Sequence, residues 1–180
     1  MKPAIILTIF LLLIGGCSTA KTTILGTQEL LLDAQDLQQL GMKNNGTDCL
    51  TEEYPTNEFS PLAQYSFCDY TINSLNDTEV IIQLQKFTNL NDLNGTYQYS
   101  SQHYRSVEGL ISVNDYGDQS RFYLNNENDY GGQYNDPNIY YYTLYITKDE
   151  YLIQITSKGS SKEAAEYISK IGRQILSKFG

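Results

Sequence analysis

The chain has 180 residues, with 12 Lys+Arg against 21 Asp+Glu, one histidine and sixteen tyrosines. That length suits one domain with a core of its own. The acidic balance argues against nucleic acid as a partner, because phosphate binding needs a basic face, and against electrostatic adhesion to anionic headgroups.

The first segment, MKPAIILTIFLLLIGGCSTAKTT, carries Lys2 and then an apolar run from Ala4 to Ile14, interrupted only by Thr8. The run is well short of the roughly twenty apolar residues that span a bilayer core, and it fits the apolar part of a secretory signal. Ile14-Gly15-Gly16-Cys17 resembles the lipobox of prokaryotic lipoproteins, with an aliphatic residue three places before the cysteine and small residues between. The resemblance implies that residues 1–16 are a removed signal peptide and that Cys17 carries a thioether-linked lipid at the mature N-terminus. The protein would then sit on the extracytoplasmic face of a cell membrane, anchored by that lipid. The alternatives are an ordinary cleaved signal with an incidental cysteine, or an uncleaved anchor. Removing residues 1–16 takes away Lys2 and no acid, which leaves 11 Lys+Arg against 21 Asp+Glu.

Residues 17–26 read as a polar tether and residues 27–180 as a single α+β domain. Leu30–Leu32 predicts a first strand. Asp33 is a candidate helix N-cap, Asp36 falls where the helix dipole favours an acid, and Gly41 is a natural stop, so a helix of one or two turns is expected. Residues 44–60 predict a loop. In an exported chain the cysteines that remain after Cys17, Cys49 and Cys68, read as a disulfide; the alternative is a metal pair, although no histidine lies near them. AQYSFCDYTI and TEVIIQLQKF alternate as two strands, with a hairpin turn at Asn76-Asp77. Leu90, Leu93, Tyr97 and Tyr104 recur at helical spacing, predicting a helix over 89–104.

Strands are expected at 109–114 and 119–125, turning near Asp118. After the polar loop Glu127–Asn138, IYYYTLYITKDEYLIQITSK predicts two strands, 139–147 and 150–157, turning at Lys148-Asp149. The last segment predicts a long amphipathic C-terminal helix. Ser160 and Glu163 form a candidate capping box, and Ala164, Ile168, Ile171, Ile175 and Phe179 form an apolar stripe. The fold class expected is α+β, an antiparallel sheet with helices packed on one face. From about Leu30 onward, VIIQLQKF before a helix, YGDQSRFYL before a strand and the hairpin YTLYITKDEYLIQIT before the last helix resemble the small exported domains of the PsbP and LpqN lipoprotein type. That resemblance implies an accessory or binding role and carries no catalytic motif.

No Gly-x-Ser-x-Gly, phosphate-cradling loop or dinucleotide fingerprint occurs. His103, the sole histidine, reads as an exposed helix residue. The chain is therefore expected to be non-catalytic and to need no cofactor. The Asn/Asp/Glu-rich residues 125–136 offer hard oxygen ligands for calcium, but such loops also form for turn reasons alone. Asn45, Asn76 and Asn94 stand in glycosylation acceptor patterns. Twelve of the sixteen tyrosines lie between Tyr97 and Tyr151. Tyrosine pairs an apolar ring with a polar hydroxyl and can hold a sugar or peptide; it also fills half-buried sheet faces. A binding surface is expected at Tyr130, Tyr134, Tyr140 and Tyr142 with Asp129. The functional expectation is a lipid-anchored envelope protein that binds a glycan, another ligand or a partner protein. The alternatives are a structural accessory of an envelope complex and, last, a hydrolase built on an unrecognised carboxylate pair.

Overall fold

In the computed structural model, which describes residues 24–46, 48–55, 61–102, 109–125 and 138–180, the alternating segments join one antiparallel sheet. Its strands are β1 (Met42–Asn44), β2 (Leu50–Glu53), β3 (Leu62–Ile72), β4 (Leu75–Phe87), β5 (Leu110–Val113), β6 (Gln119–Asn125), β7 (Tyr140–Lys148) and β8 (Tyr151–Gly159). The order is β1-β3-β4-β8-β7-β6-β5, with β2 also pairing to β3. The helices are α1 (Ala34–Leu40), α2 (Leu90–Gln102) and α3 (Ala164–Ser177).

Strand alternation sends two sets of side chains to opposite faces. Val80, Ile82 and Leu84 of β4, Leu144 and Ile146 of β7 and Ile153 and Ile155 of β8 form the main core with Ile168, Ile171 and Ile175 of α3. Each such side chain contributes on the order of 1.5–3 kcal/mol by leaving water. Leu37 and Leu40 of α1 pack against the same core. Gly172 lets α3 lie close, since a Cβ there would stand 2.9 Å from Leu144 Cδ2.

The second helix corrects the expectation of helices on one face only. Leu93 and Tyr97 of α2 pack against Phe87, Tyr123, Tyr145 and Leu152, which all leave the sheet on the side away from α3. Phe87 and Leu152 belong to the outward set of their strands, so their apolar surface needs its own cover, and α2 supplies it.

The caps of α1 are as expected. Asp33 Oδ1 accepts from the amides of Gln35 and Asp36 at 2.8 and 2.9 Å, and Asp36 Oδ2 accepts from Asp33 N at 3.0 Å. Gly41 closes the helix at φ 65°, a conformation that costs glycine little.

Other local expectations are corrected. Leu30–Leu32 is not a strand: residues Thr27–Leu30 form a 3-10 turn, which places Thr27 and Leu30 inward one turn apart. The β3–β4 hairpin turns at residues 73–74, not at Asn76-Asp77, because Leu75 already pairs with Ile72 and is buried. The expected loop 44–60 contains β2, and β1 ends inside it.

The capping box at Ser160 and Glu163 does not form. The Ser160 amide donates to Asp77 Oδ2 at 3.3 Å, and the Glu163 amide donates to Ser161 Oγ at 3.2 Å. The C-terminal helix therefore starts at Ala164 and runs 14 residues, shorter than expected. Its stripe is buried as expected, and Phe179 meets Tyr151 edge-on at 5.6 Å.

Candidate functional site

Across the middle of the sheet, beside α2, the strands present a face built from rows of paired residues. One row runs Phe67, Gln83, Gln154, Tyr145 across β3, β4, β8 and β7; the next runs Asp69, Ile81, Thr156, Thr143. Phe67, Gln83, Gln154, Ile81 and Thr156 are neither buried nor fully exposed, which is the condition of a sheet surface partly open to solvent. The sequence folds this way because IIQLQKF and LIQITSK put Gln83, Gln85, Gln154 and Thr156 on one face while Ile82, Leu84, Ile153 and Ile155 between them enter the main core.

The face is hydrogen-bonding and close to neutral. The Tyr65 hydroxyl is in hydrogen-bond contact with the Gln83 side chain; burial pushes this phenol upward, the Gln83 contact opposes that, and the nearby Glu52 carboxylate adds to the rise. Tyr65 is therefore a neutral phenol at physiological pH. Two buried oxygens of this face, Thr71 Oγ1 and Gln85 Oε1, have no hydrogen-bond partner among the described residues. Buried polar atoms are nearly always paired, and these two, which lie beneath the surface of the face, are exceptions. At the far corner Arg121 donates to Ser101 Oγ at 2.7 Å and Gln98 Oε1 at 3.2 Å and lies 5.3 Å from the Tyr97 ring, closing the C-terminal end of α2.

The structure redistributes the expected tyrosine surface. Tyr142 is 4% exposed and belongs to the main core. It lies 6.2 Å from Phe122 and stacks on Tyr140 at 6.3 Å, and its hydroxyl donates to Lys162 O at 3.3 Å. This corrects the assignment of Tyr142 to a binding surface. Leu144 and Ile146 must lie under α3, and period-two alternation takes Tyr142 inward with them. Tyr140 stays half-exposed at the rim, with Lys162 Nζ 5.4 Å from its ring. Asp129, Tyr130 and Tyr134, residues 126–136 of the candidate calcium loop and His103 lie outside the described residues, as does Cys17.

Tyr65, Phe67, Gln83, Gln154 and Thr156 were not singled out in the sequence as site residues. The signal for them is glutamine alternating with aliphatic residues in two strands that the register places side by side. Cys49 and Cys68 are disulfide-bonded with Cα atoms 4.5 Å apart. The bridge joins the residue before β2 to the middle of β3, so Leu50 and Glu52 lie beside Phe67 and Tyr65 at the edge of the face. No group of three or more His, Cys, Asp or Glu among the described residues could hold a metal ion. No helix among them is long and apolar enough to cross a membrane.

No family model matches the chain, and no curated protein sequence matches it. Among solved structures it is similar to the crystal structure of the extracellular domain of PknH from Mycobacterium tuberculosis. The TM-score is 0.54 at 9% identity, over 82% of this chain and 93% of that one. At that identity the likeness is one of fold.

Proposed function

We propose that the chain is a lipid-anchored, non-catalytic module of the extracytoplasmic surface whose open sheet face binds a neutral, hydroxyl-rich ligand, a glycan. The row Phe67–Gln83–Gln154 with Tyr65 carries this reading. Amides that donate and accept beside aromatic rings suit sugar hydroxyls and the apolar faces of sugar rings, and no dominant charge there selects an ion. The lipobox at Cys17, the Cys49–Cys68 bridge and a fold shared with a domain described as extracellular support an exported location.

The test is a glycan screen on the Cys17→Ser protein recovered from the soluble exported fraction, followed by the double variant Gln83→Ala/Gln154→Ala. The pair of deletions should weaken the best hit by about tenfold or more, since each lost hydrogen bond is worth about 1 kcal/mol, while the melting temperature stays nearly constant. Binding of no glycan, or undiminished binding by the double variant, rejects this face as the site.

A second reading, an assembly accessory, rests on β5. Among the described residues β5 ends the sheet; it carries Ile111 at 48% and Val113 at 45% exposure and no charged residue, whereas the opposite edge carries Lys43, Glu52 and Glu53. An uncharged edge is open to strand addition by a protein partner. Protein crosslinks that map to β5 and disappear in Ile111→Lys would favour it.

A further inference from the structure

The last residues before the 3-10 turn are fixed to one end of the sheet. The Tyr151 hydroxyl donates to Ile24 O at 3.2 Å, and Lys86 Nζ donates to Leu25 O at 2.7 Å. Lys86 and Tyr151 pair across β4 and β8 beside the β7–β8 turn. Thr27, fully buried, follows at once and donates from Oγ1 to Gln64 Oε1 at 2.9 Å. The described part of the expected tether is thus part of the fold. The chain enters the domain at the end where β4 finishes and α2 begins, opposite the β3–β4 turn.

We propose that this attachment sets the orientation of the protein on its membrane. The end bearing the β7–β8 turn and the start of α2 faces the bilayer, and the end bearing the β3–β4 turn points outward. This rests on the lipid at Cys17 proposed above. Six residues lie between Cys17 and Ile24, so the seven steps from one to the other reach at most about 25 Å. β4 has 13 residues and spans about 40 Å. The tether is shorter than the strand, so the molecule cannot invert to bring the β3–β4 turn to the lipid.

Lys86 and Lys148 are already paired, with Glu150 at 3.4 Å and Asp118 at 3.0 Å. The short tether, not charge, therefore decides which end faces the bilayer.

The test uses the full lipidated chain in phosphatidylethanolamine/phosphatidylglycerol vesicles with an energy-transfer acceptor on the headgroups. Donors are attached through a bio-orthogonal residue at Leu90, 58% exposed at the start of α2, or at Asn76, exposed at the far end of β4. Transfer from position 90 should exceed transfer from position 76 by about threefold or more, because the two heights differ by about 40 Å. A twenty-residue Gly/Ser insertion after Thr22 should abolish most of the difference, since such a tether wanders over about 29 Å root-mean-square. Equal or reversed transfer from vesicle-bound protein overturns the orientation and leaves the anchor standing. A difference that survives the insertion overturns the tether as its cause. Wild-type protein that fails to float with vesicles, or a Cys17→Ser variant that floats equally well, overturns the anchor and the orientation with it.

Discussion

Asp36 does two jobs at the junction of α1 and α3. Its carboxylate accepts from the Asp33 amide as part of the cap, and it receives Lys178 Nζ at 2.7 Å and Gln174 Nε2 at 2.6 Å from the far end of the chain. Burial alone would raise this carboxyl, but the bonds from Lys178, the Asp33 amide and Gln174 outweigh it and hold it below the ordinary value of 3.8. A carboxyl depressed in the folded state stabilises the fold above its unfolded value, and that contribution disappears as pH falls through the folded value. Asp36→Ala should cost about 3 kcal/mol at neutral pH, the low end for breaking a buried pair. Urea denaturation of wild type and variant at pH 7, 4 and 2.5 checks this: the gap should narrow as acid protonates Asp36 in the wild type. A gap of constant size would place the cost in packing instead of charge. The cap was legible in Asp33-x-x-Asp36. The partner Lys178 was not legible, because nothing local says that residue 36 and residue 178 meet.

At the scale of elements, α3 and α2 differ in how much of their position the sequence holds. The stripe of α3 repeats at three and four over four turns, and its apolar members Ala164, Ile168, Ile171, Ile175 and Phe179 are all buried as read, while Gly172 was not picked out. Its start was misplaced because Ser160 and Ser161 have alternative uses: one amide closes on Asp77, and the other hydroxyl caps from outside the box. Gly172 faces the sheet within the stripe, where helix propensity alone would prefer alanine. Replacing it with leucine should cost about 1–3 kcal/mol by overpacking against Leu144 and Ile146, read as a lower denaturation midpoint with an unchanged slope; a neutral result would mean that α3 can tilt away at no cost. For α2 the narrow pair Leu93 and Tyr97 told helix but not side. The face it covers is set by where β4 ends.

For the whole molecule, the cystine joins Cys49 to the centre of β3 and holds β2 on the sheet edge. Closing a loop of this length stabilises by about 3 kcal/mol in the chain-entropy model. Reduction should therefore lower the melting temperature by about 6–12 °C for a domain this size, with the strand signals of β2 lost first in hydrogen exchange. Uniform loss across the sheet would show the bridge serving the global fold instead of its edge.

The sequence by itself determined the signal-like start, the acidic balance, the cysteine pairing, the strand and helix periods and the stripe of α3. These are local or countable, and period two or 3.6 is written into adjacent residues. Tertiary structure alone decided which face α2 covers, that Tyr142 turns inward, and that Gln83 and Gln154 stand beside each other. Those depend on strand register and order, where residues seventy positions apart become neighbours, and a shift of one residue would exchange the core face for the open one.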